Sequence, residues 1–428
     1  MSIAPVALHR AAMHRAAMHR AAMHRAAMRA LALLLTSALS MAHARPASAQ
    51  ETVPSLSLGF GVDTVSADVR GIVRTLRDYF ALPQPSRTPT PLWNGEEQRG
   101  RRVYDATGEA YQGFPATIIE VVPESPDNDL YVVRTLFARY DSASRAIRPL
   151  AVQRLYARRT GDRWTLESAL PHLTARWSTL RVGRITFHRP PGERIDRARA
   201  RRTAQLFDDL QLRFAIADTS TLDYYACGST REMYRIVGLD FMVAPSGPGT
   251  GRGGRASAEQ HLLLAGDSLQ GEAYIHELAH IAFWPTLPAG GRHHMVEEGV
   301  ATWIGGSRGA SIDSLAVILA RYQATHPGVT LRMLVDGDVA GVWGQPETDA
   351  MYATAGVIAA AIHERGGDSG IRRYLGVTDD SASFWREMPA LLGVSGDSLE
   401  GWWRGEAARR VARRPLPAAP SRRGARSR

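Results

Sequence analysis

The hydrophobic pattern divides the chain into two stretches of different character. From Val65 to Leu82 apolar residues fall at helical spacing (Val69, Ile72, Val73, Leu76, Phe80), which predicts a helix. Strand-like runs follow at Ala116 to Val122, Leu130 to Tyr140, Ile147 to Ala157 and Arg163 to Ser168, separated by Pro, Asn, Asp and Gly. A helix followed by strands that double back predicts an α+β module with an antiparallel sheet over residues 50–178.

At Trp177 the order becomes mixed. Leu180 to His188 reads as a strand, Pro190-Pro191-Gly192 as a turn, and Asp196 to Phe214 as a long helix with Ala200, Ala204, Phe207, Leu210 and Phe214 on one side. A short strand at Leu222 to Tyr225, a helix from Ser229 to Val237 closed by Gly238, and the start of a strand at Met242 and Val243 come next. Ser246 to Arg255 is Gly-rich and reads as a loop. It lacks the Gly-Lys-Ser/Thr ending of a phosphate cradle. Glu259 to Ala265 is expected as a strand. Past Gly306 the chain reads as helical to Arg414, with helices at Ile312 to Tyr322 and Pro346 to Arg365. Trp385, Trp402 and Trp403 fit core or capping positions. Residues 179–408 therefore form a second α+β unit with a mostly helical C-terminal subdomain.

The two ends differ from this body. Ala-Ala-Met-His-Arg recurs from Ala11, a regularity that suggests a tandem DNA expansion ahead of a true start at Met28. Arg29, the apolar run Leu31 to Met41 and Ala47-Ser48-Ala49 then follow the order of a secretory signal, so export to the periplasm or the medium after cleavage near Ala49 is expected. No later stretch is long and apolar enough for a membrane span. Every basic residue is Arg. Six lie in residues 1–49 and eight in residues 409–428, with no acid in either stretch, so the formal charge of +10 becomes −4 for residues 50–408. That mildly acidic body argues against nucleic acid as a partner. The Arg- and Pro-rich tail, residues 409–428, is expected to be disordered. One cysteine, Cys227, excludes an intrachain disulfide and reads as a small core residue.

The candidate chemistry lies between Gly271 and Gly305. His276, Glu277 and His280 are spaced as His-Glu-x-x-His, and residues four apart share one helix face, so the two imidazoles can bind one Zn²⁺ with Glu277 beside the open side of the metal. The neighbours Tyr274, Ile275, Leu278, Ala279, Ile281 and Ala282 carry no charge, as a buried metal helix requires. Asp267 or Ser268 fits as its N-cap and Pro285 ends it. A catalytic zinc needs a third protein ligand. Thr286 and Phe283 occupy the positions where the longer His-x-x-Gly-x-x-His pattern puts His and Gly, which excludes that class. A glutamate from a second helix remains. Pro285, Pro288, Gly290 and Gly291 supply a loop, and Val296, Val300 and Trp303 give the helix an apolar side. Glu298 and Glu297 are both placed to serve. His293 and His294 precede this helix, where solvated histidines are common. His188, His261, His326 and His363 show no partner spacing and read as structural.

These segments resemble the gluzincin metallopeptidases of the MA type, found as domains of bacterial envelope proteins. The likeness rests on His276-Glu277-x-x-His280 and on Glu298-Gly299-Val300-Ala301 and reaches no further in detail. It implies Zn²⁺ held by His276, His280 and Glu298, with Glu277 as general base acting on a peptide or protein substrate. It also implies a cleft-bordering strand that pairs with extended substrate, here Glu259 to Ala265, and an oxyanion-binding Tyr on a later helix, for which Tyr352 stands beside the plain reading of a packed helical Tyr. The Gly-x-Met-Glu-Asn run of the aminopeptidase branch is missing. Thr302 replaces the Asp with which thermolysin-like enzymes orient a histidine, a role Thr302 can fill more weakly. The element order of residues 50–178 is similar to a cone-shaped NTF2-like domain, suited to substrate docking or to covering the peptidase unit.

Two rival functions follow from the same residues. A non-catalytic envelope binding protein with a structural zinc site would need a fourth ligand, such as His293 or His294, and has no use for Glu277. A ligand-binding N-terminal module with a secondary zinc unit would need an apolar pocket with converging polar groups within residues 50–178.

Overall fold

The computed structural model describes residues 56–83, 88–99, 114–243, 253–289, 291–337 and 346–413. The repeat, the signal-like segment with its cleavage site, most of the Gly-rich tract and residues 414–428 lie outside the described residues. Within them the chain is an α+β fold with two mixed sheets and eleven α-helices.

The first helix, α1 (Ala67–Phe80), starts at Ser66, whose hydroxyl accepts from the Val69 N–H, and buries Val69, Ile72, Val73, Leu76 and Tyr79. It lies on a sheet of β1 (Leu56–Leu58), β2 (Ala116–Pro123), β3 (Leu130–Asp141), β4 (Ala146–Thr160) and β5 (Arg163–Glu167). Strands β2 to β5 are antiparallel, as the sequence predicts, while β1 joins β2 in parallel. Tyr131, Val133, Leu155, Trp164 and Leu166 meet the helix and close this core. Each such side chain moved fully from water contributes roughly 1.5–3 kcal/mol, so the shared face holds helix and sheet together.

The helix α2 (Ala169–Thr174) leads into the second sheet. Where one strand is expected over Leu180 to His188, the chain forms a hairpin of β6 (Ser178–Val182) and β7 (Ile185–Arg189), turning at Gly183 with φ +58. The apolar alternation changes phase at the turn, from Leu180 and Val182 to Ile185 and Phe187, and Gly183 supplies the positive φ that the reversal needs. The helix α3 (Arg197–Arg213) is capped by Asp196, whose Oδ1 accepts from Ala198 and Arg199 N–H. Strand β8 (Leu222–Ala226) and helix α4 (Thr230–Ile236) follow, and Gly238, at φ +88, closes the helix. Strand β9 (Leu239–Met242) then returns to the first sheet and pairs with β4, so the chain crosses from the second sheet to the first between β8 and β10.

Strands β10 (Gly254–Ser257) and β11 (Leu262–Ala265) complete the second sheet, ordered β10-β11-β8-β7-β6. The strand expected over Glu259 to Ala265 is thus shorter, since Ala258–Gln260 forms a 3-10 turn, and it is not the edge. All four residues of β11 are buried, and β10 covers its outer side.

The helices α5 (Ile275–Phe283), α6 (His294–Gly305), α7 (Ile312–Thr325), α8 (Leu331–Val335), α9 (Pro346–Leu375), α10 (Ser381–Leu392) and α11 (Leu399–Ala412) form the rest. They pack around α9, in which residues 352–360 are all buried, as expected for a helix surrounded on every side. Trp403 is fully buried and its Nε1 donates to Thr354 Oγ1 at 3.1 Å, while Trp385 Nε1 donates to Asp336 at the surface. Arg409 and Arg410, counted above with the tail, sit in the last turn of α11 and pair with Glu364 and Glu406. Cys227 is buried, and burial pushes its thiol pKa up. No described helix is long and apolar enough to cross a membrane.

Candidate metal centre

Helices α5 and α6 pack against each other and bring His276, His280 and Glu298 together. His276 Nε2 lies 3.2 Å from Glu298 Oε2, His280 Nε2 lies 3.3 Å from His276 Nε2, and His280 Nε2 lies 3.6 Å from Glu298 Oε2. The three ligand atoms fall within 4.8 Å of one another, and no fourth His, Cys, Asp or Glu joins them among the described residues. Such a group can hold a metal ion. Two imidazole Nε2 atoms and a carboxylate oxygen aimed at one point are a donor set matched to a divalent cation.

The tautomer of His276 follows from its other nitrogen. Nδ1 stands 2.7 Å from the Gly306 carbonyl oxygen, which can only accept, so Nδ1 carries the proton and the Nε2 lone pair faces the site. Thr302, expected to help orient a histidine, does not. Its hydroxyl is buried without a hydrogen-bond partner among the described residues, and the Gly306 carbonyl takes that role. His280 turns Nδ1 toward Glu297 Oε1 at 3.8 Å. Glu297 therefore stands behind His280, and Glu298 alone of the two faces both Nε2 atoms.

Charge couples the three. Burial alone would lower the His280 pKa, but Glu298, helped by Glu277 and Glu297, raises it to about 9. Burial likewise penalises the Glu298 carboxylate, and the two imidazoles overcome this and hold it well below the usual range.

Three glycines set the geometry. A Cβ on Gly299 would meet the Ala355 carbonyl at 2.7 Å, so α6 lies backbone to backbone on α9. A Cβ on Gly305 would meet the His276 nitrogen at 2.3 Å, which seats the end of α6 on the start of α5. Gly254, on the edge strand β10, would place a Cβ 2.5 Å from Glu277 Cγ and 3.0 Å from the Tyr274 ring. The edge strand that lies against Glu277 is therefore β10, not β11.

The entry to α5 departs from expectation. The helix starts at Ile275, eight residues past Asp267, and Tyr274 is its N-cap with no side-chain bond. Asp267 instead organises the preceding turn, accepting from Leu269 N–H at 2.9 Å and Gln270 Nε2 at 3.1 Å. The Tyr224 hydroxyl then donates to the Gly271 carbonyl and accepts from Tyr274 N–H, and Glu272, fully buried, pairs with Arg189. Pro285 does end the helix, in a short 3-10 turn.

Tyr352 is buried on α9, its ring edge-on to His276 with centroids 6.0 Å apart. Burial, then the charges of Glu298 and Glu277, push its phenol pKa well up, so it stays a hydrogen-bond donor. His293 is not a solvated loop residue. It is 3% exposed, its Nδ1 accepts from the Met295 N–H at 3.2 Å as the N-cap of α6, and its ring packs on Phe384. His188 pairs with Asp223 and stacks on Tyr225, and His363 contacts Asp368. The sequence alone assigned no role at the site to Tyr274, Gly254, Gly305 or Gly306. The Gly305-Gly306 pair after an apolar helix was a visible sign of a helix end in close contact.

No protein-family model and no curated protein matches the chain. Among solved structures it is similar to a substrate-bound mutant of an M1 zinc metallopeptidase from Deinococcus radiodurans, at 14% identity and a TM-score of 0.30, over 68% of this chain and 63% of that one. The chain thus spans less than two thirds of that protein's length.

Proposed function

We propose that the chain is a zinc-dependent peptidase of the gluzincin type, exported, acting on peptide or protein substrates. One observation carries the reading: His276 Nε2, His280 Nε2 and Glu298 Oε2 converge from two helices with no fourth ligand among the described residues, and Glu277 follows the first ligand. Two nitrogens and one oxygen with an open position suit a catalytic zinc. Bound there, the ion would polarise the scissile carbonyl and acidify a water.

The chain's own residues supply the remaining steps. Glu277, half-buried under β10, takes the proton of the attacking water and returns it to the leaving amine. Tyr352 donates a hydrogen bond to the developing oxyanion. The edge strand β10 offers main-chain groups to an extended substrate. The rival structural zinc site is disfavoured, because neither His293, whose Nδ1 accepts from the Met295 N–H, nor His294 joins the three ligand atoms.

The test is metal analysis of the purified chain together with digestion of a mixed peptide library by parent and Glu277→Gln. Glu277→Gln is expected to keep its zinc and lose orders of magnitude in turnover. A chain that binds no zinc, or a Glu277→Gln variant of full activity, ends the reading.

A further inference from the structure

The turn after α6 joins the metal centre to Tyr352. Gly306 supplies the carbonyl that holds His276 Nδ1 at 2.7 Å. The chain then reverses within four residues: Ser307 and Ala310 exchange N–H···O bonds of 3.0 and 2.8 Å, and Gly306, Arg308 and Gly309 have φ of +72, +49 and +80. Glycine takes positive φ without strain, but Arg308 does not, at a cost on the order of 1 kcal/mol. A strained arginine where glycine or asparagine would fit more cheaply directs attention to its side chain.

That side chain reaches the helix carrying Tyr352. Arg308 Nη1 donates to Asp349 Oδ1 at 3.0 Å, and the two side chains are 20% and 37% exposed. Asp349 lies in the first turn of α9, three residues before Tyr352, so both occupy one face of that helix. The Tyr352 ring stands edge-on to His276. A circuit closes: His276 to Gly306, through the turn to Arg308, across to Asp349, along one helical turn to Tyr352, and back to His276. The Arg308 charge also opposes the rise of the Tyr352 phenol pKa.

We infer that Arg308, through Asp349, is a positioning residue that holds the Tyr352 hydroxyl against the metal centre. The inference rests on the peptidase reading for the role of Tyr352, though not for the geometry. The pair is part-buried, and Asp349, at 37% exposed, can be solvated when its partner is lost. Its loss should leave the chain folded while freeing the first turns of α9, and a shift of about 1 Å at a catalytic group costs up to roughly a hundredfold in rate.

The test uses the full chain and the variants Arg308→Met, Arg308→Lys, Tyr352→Phe and the double variant Arg308→Met/Tyr352→Phe. Tyr352→Phe is expected to lower kcat roughly a hundredfold, as for the loss of one oxyanion donor. Arg308→Met is expected to lower kcat about tenfold with KM and zinc content unchanged, and Arg308→Lys to recover part of the loss. In the Tyr352→Phe background Arg308→Met should change nothing further. Independently of activity, 3-fluorotyrosine placed at 352 in metal-free protein should show its ¹⁹F line shifted or broadened by Arg308→Met. An equal loss of kcat in both backgrounds, or an unmoved fluorine line, overturns the inference. If the parent chain neither binds zinc nor cleaves peptides, the peptidase reading fails and the fluorine line alone decides the positioning role.

Discussion

Gly305 lies against the backbone of His276 so closely that a Cβ there would come within 2.3 Å of the His276 nitrogen and 2.7 Å of its Cα. The contact is backbone on both sides, so neither partner can swing away. It fixes the end of the helix bearing Glu298 to the start of the helix bearing both histidines.

Gly305→Ala should therefore push α6 off α5 and carry Glu298 away from the imidazoles. The expected result is a loss of stability of about 1–3 kcal/mol, typical of overpacking, and weaker zinc binding. Gly401→Ala, in α11 with open space around it, is the control and should be neutral or slightly stabilising. Thermal unfolding and zinc titration of both variants check this. Equal behaviour of the two would remove the backbone contact as the device that sets the site.

Glu298 and Glu297 should separate cleanly. Glu298 faces both Nε2 atoms, while Glu297 stands 3.8 Å from His280 Nδ1. Glu298→Gln should abolish tight zinc binding. Glu297→Gln should weaken it by roughly 10–100-fold, the range for a group that orients a ligand. Competition with a chromogenic chelator gives both affinities, and the reverse ranking would exchange the roles assigned to the two residues.

Gly254→Ala tests the edge strand. Its Cβ would sit 2.5 Å from Glu277 Cγ, so either β10 or the Glu277 side chain must move. Zinc content should be unchanged and turnover should fall by about tenfold or more, because the proposed base is displaced and the ligands are not. Zinc loss in step with activity would instead show that the strand supports the metal.

His293 gives the fold a pH dependence. Burial, then the neighbouring His294, lower its pKa to about 4, and its Nδ1 must stay unprotonated to cap α6. In the unfolded chain a histidine titrates near 6.5. Between these values the unfolded state binds the extra proton, so the stability that His293 contributes is full above about 6.5 and falls as pH drops, by about 1.4 kcal/mol per unit until about 4. Urea unfolding at pH 7 and pH 5 measures the drop. His293→Asn, which keeps a capping oxygen but cannot titrate, should flatten it.

Much of the fold was legible because local periodicity records which face of an element is buried. Helix α1, strands β2 to β5, α3 and the early part of α9 lie close to their expected positions, since each carries its own apolar stripe and its own boundary residues. The hairpin at Gly183 left only a faint mark, a one-residue change of phase between Val182 and Ile185 within a short run that otherwise reads as a single strand. The return of β9 to the first sheet was not legible either, since four residues say nothing about which strand they will join.

At the site the same division holds. The spacing of His276, Glu277 and His280 and the run beginning at Glu298 depend on helix geometry, which is local and independent of the rest of the chain. Sequence alone thus determined the residue types, their helices and the shared face of the two histidines. Tertiary structure alone decided that Glu298 rather than Glu297 meets them, that the Gly306 carbonyl rather than Thr302 holds His276, and that β10 rather than β11 borders Glu277. Each of these is a contact between segments far apart in the chain or a choice between adjacent side chains. It is settled by how closely two backbones can approach, which no periodicity records.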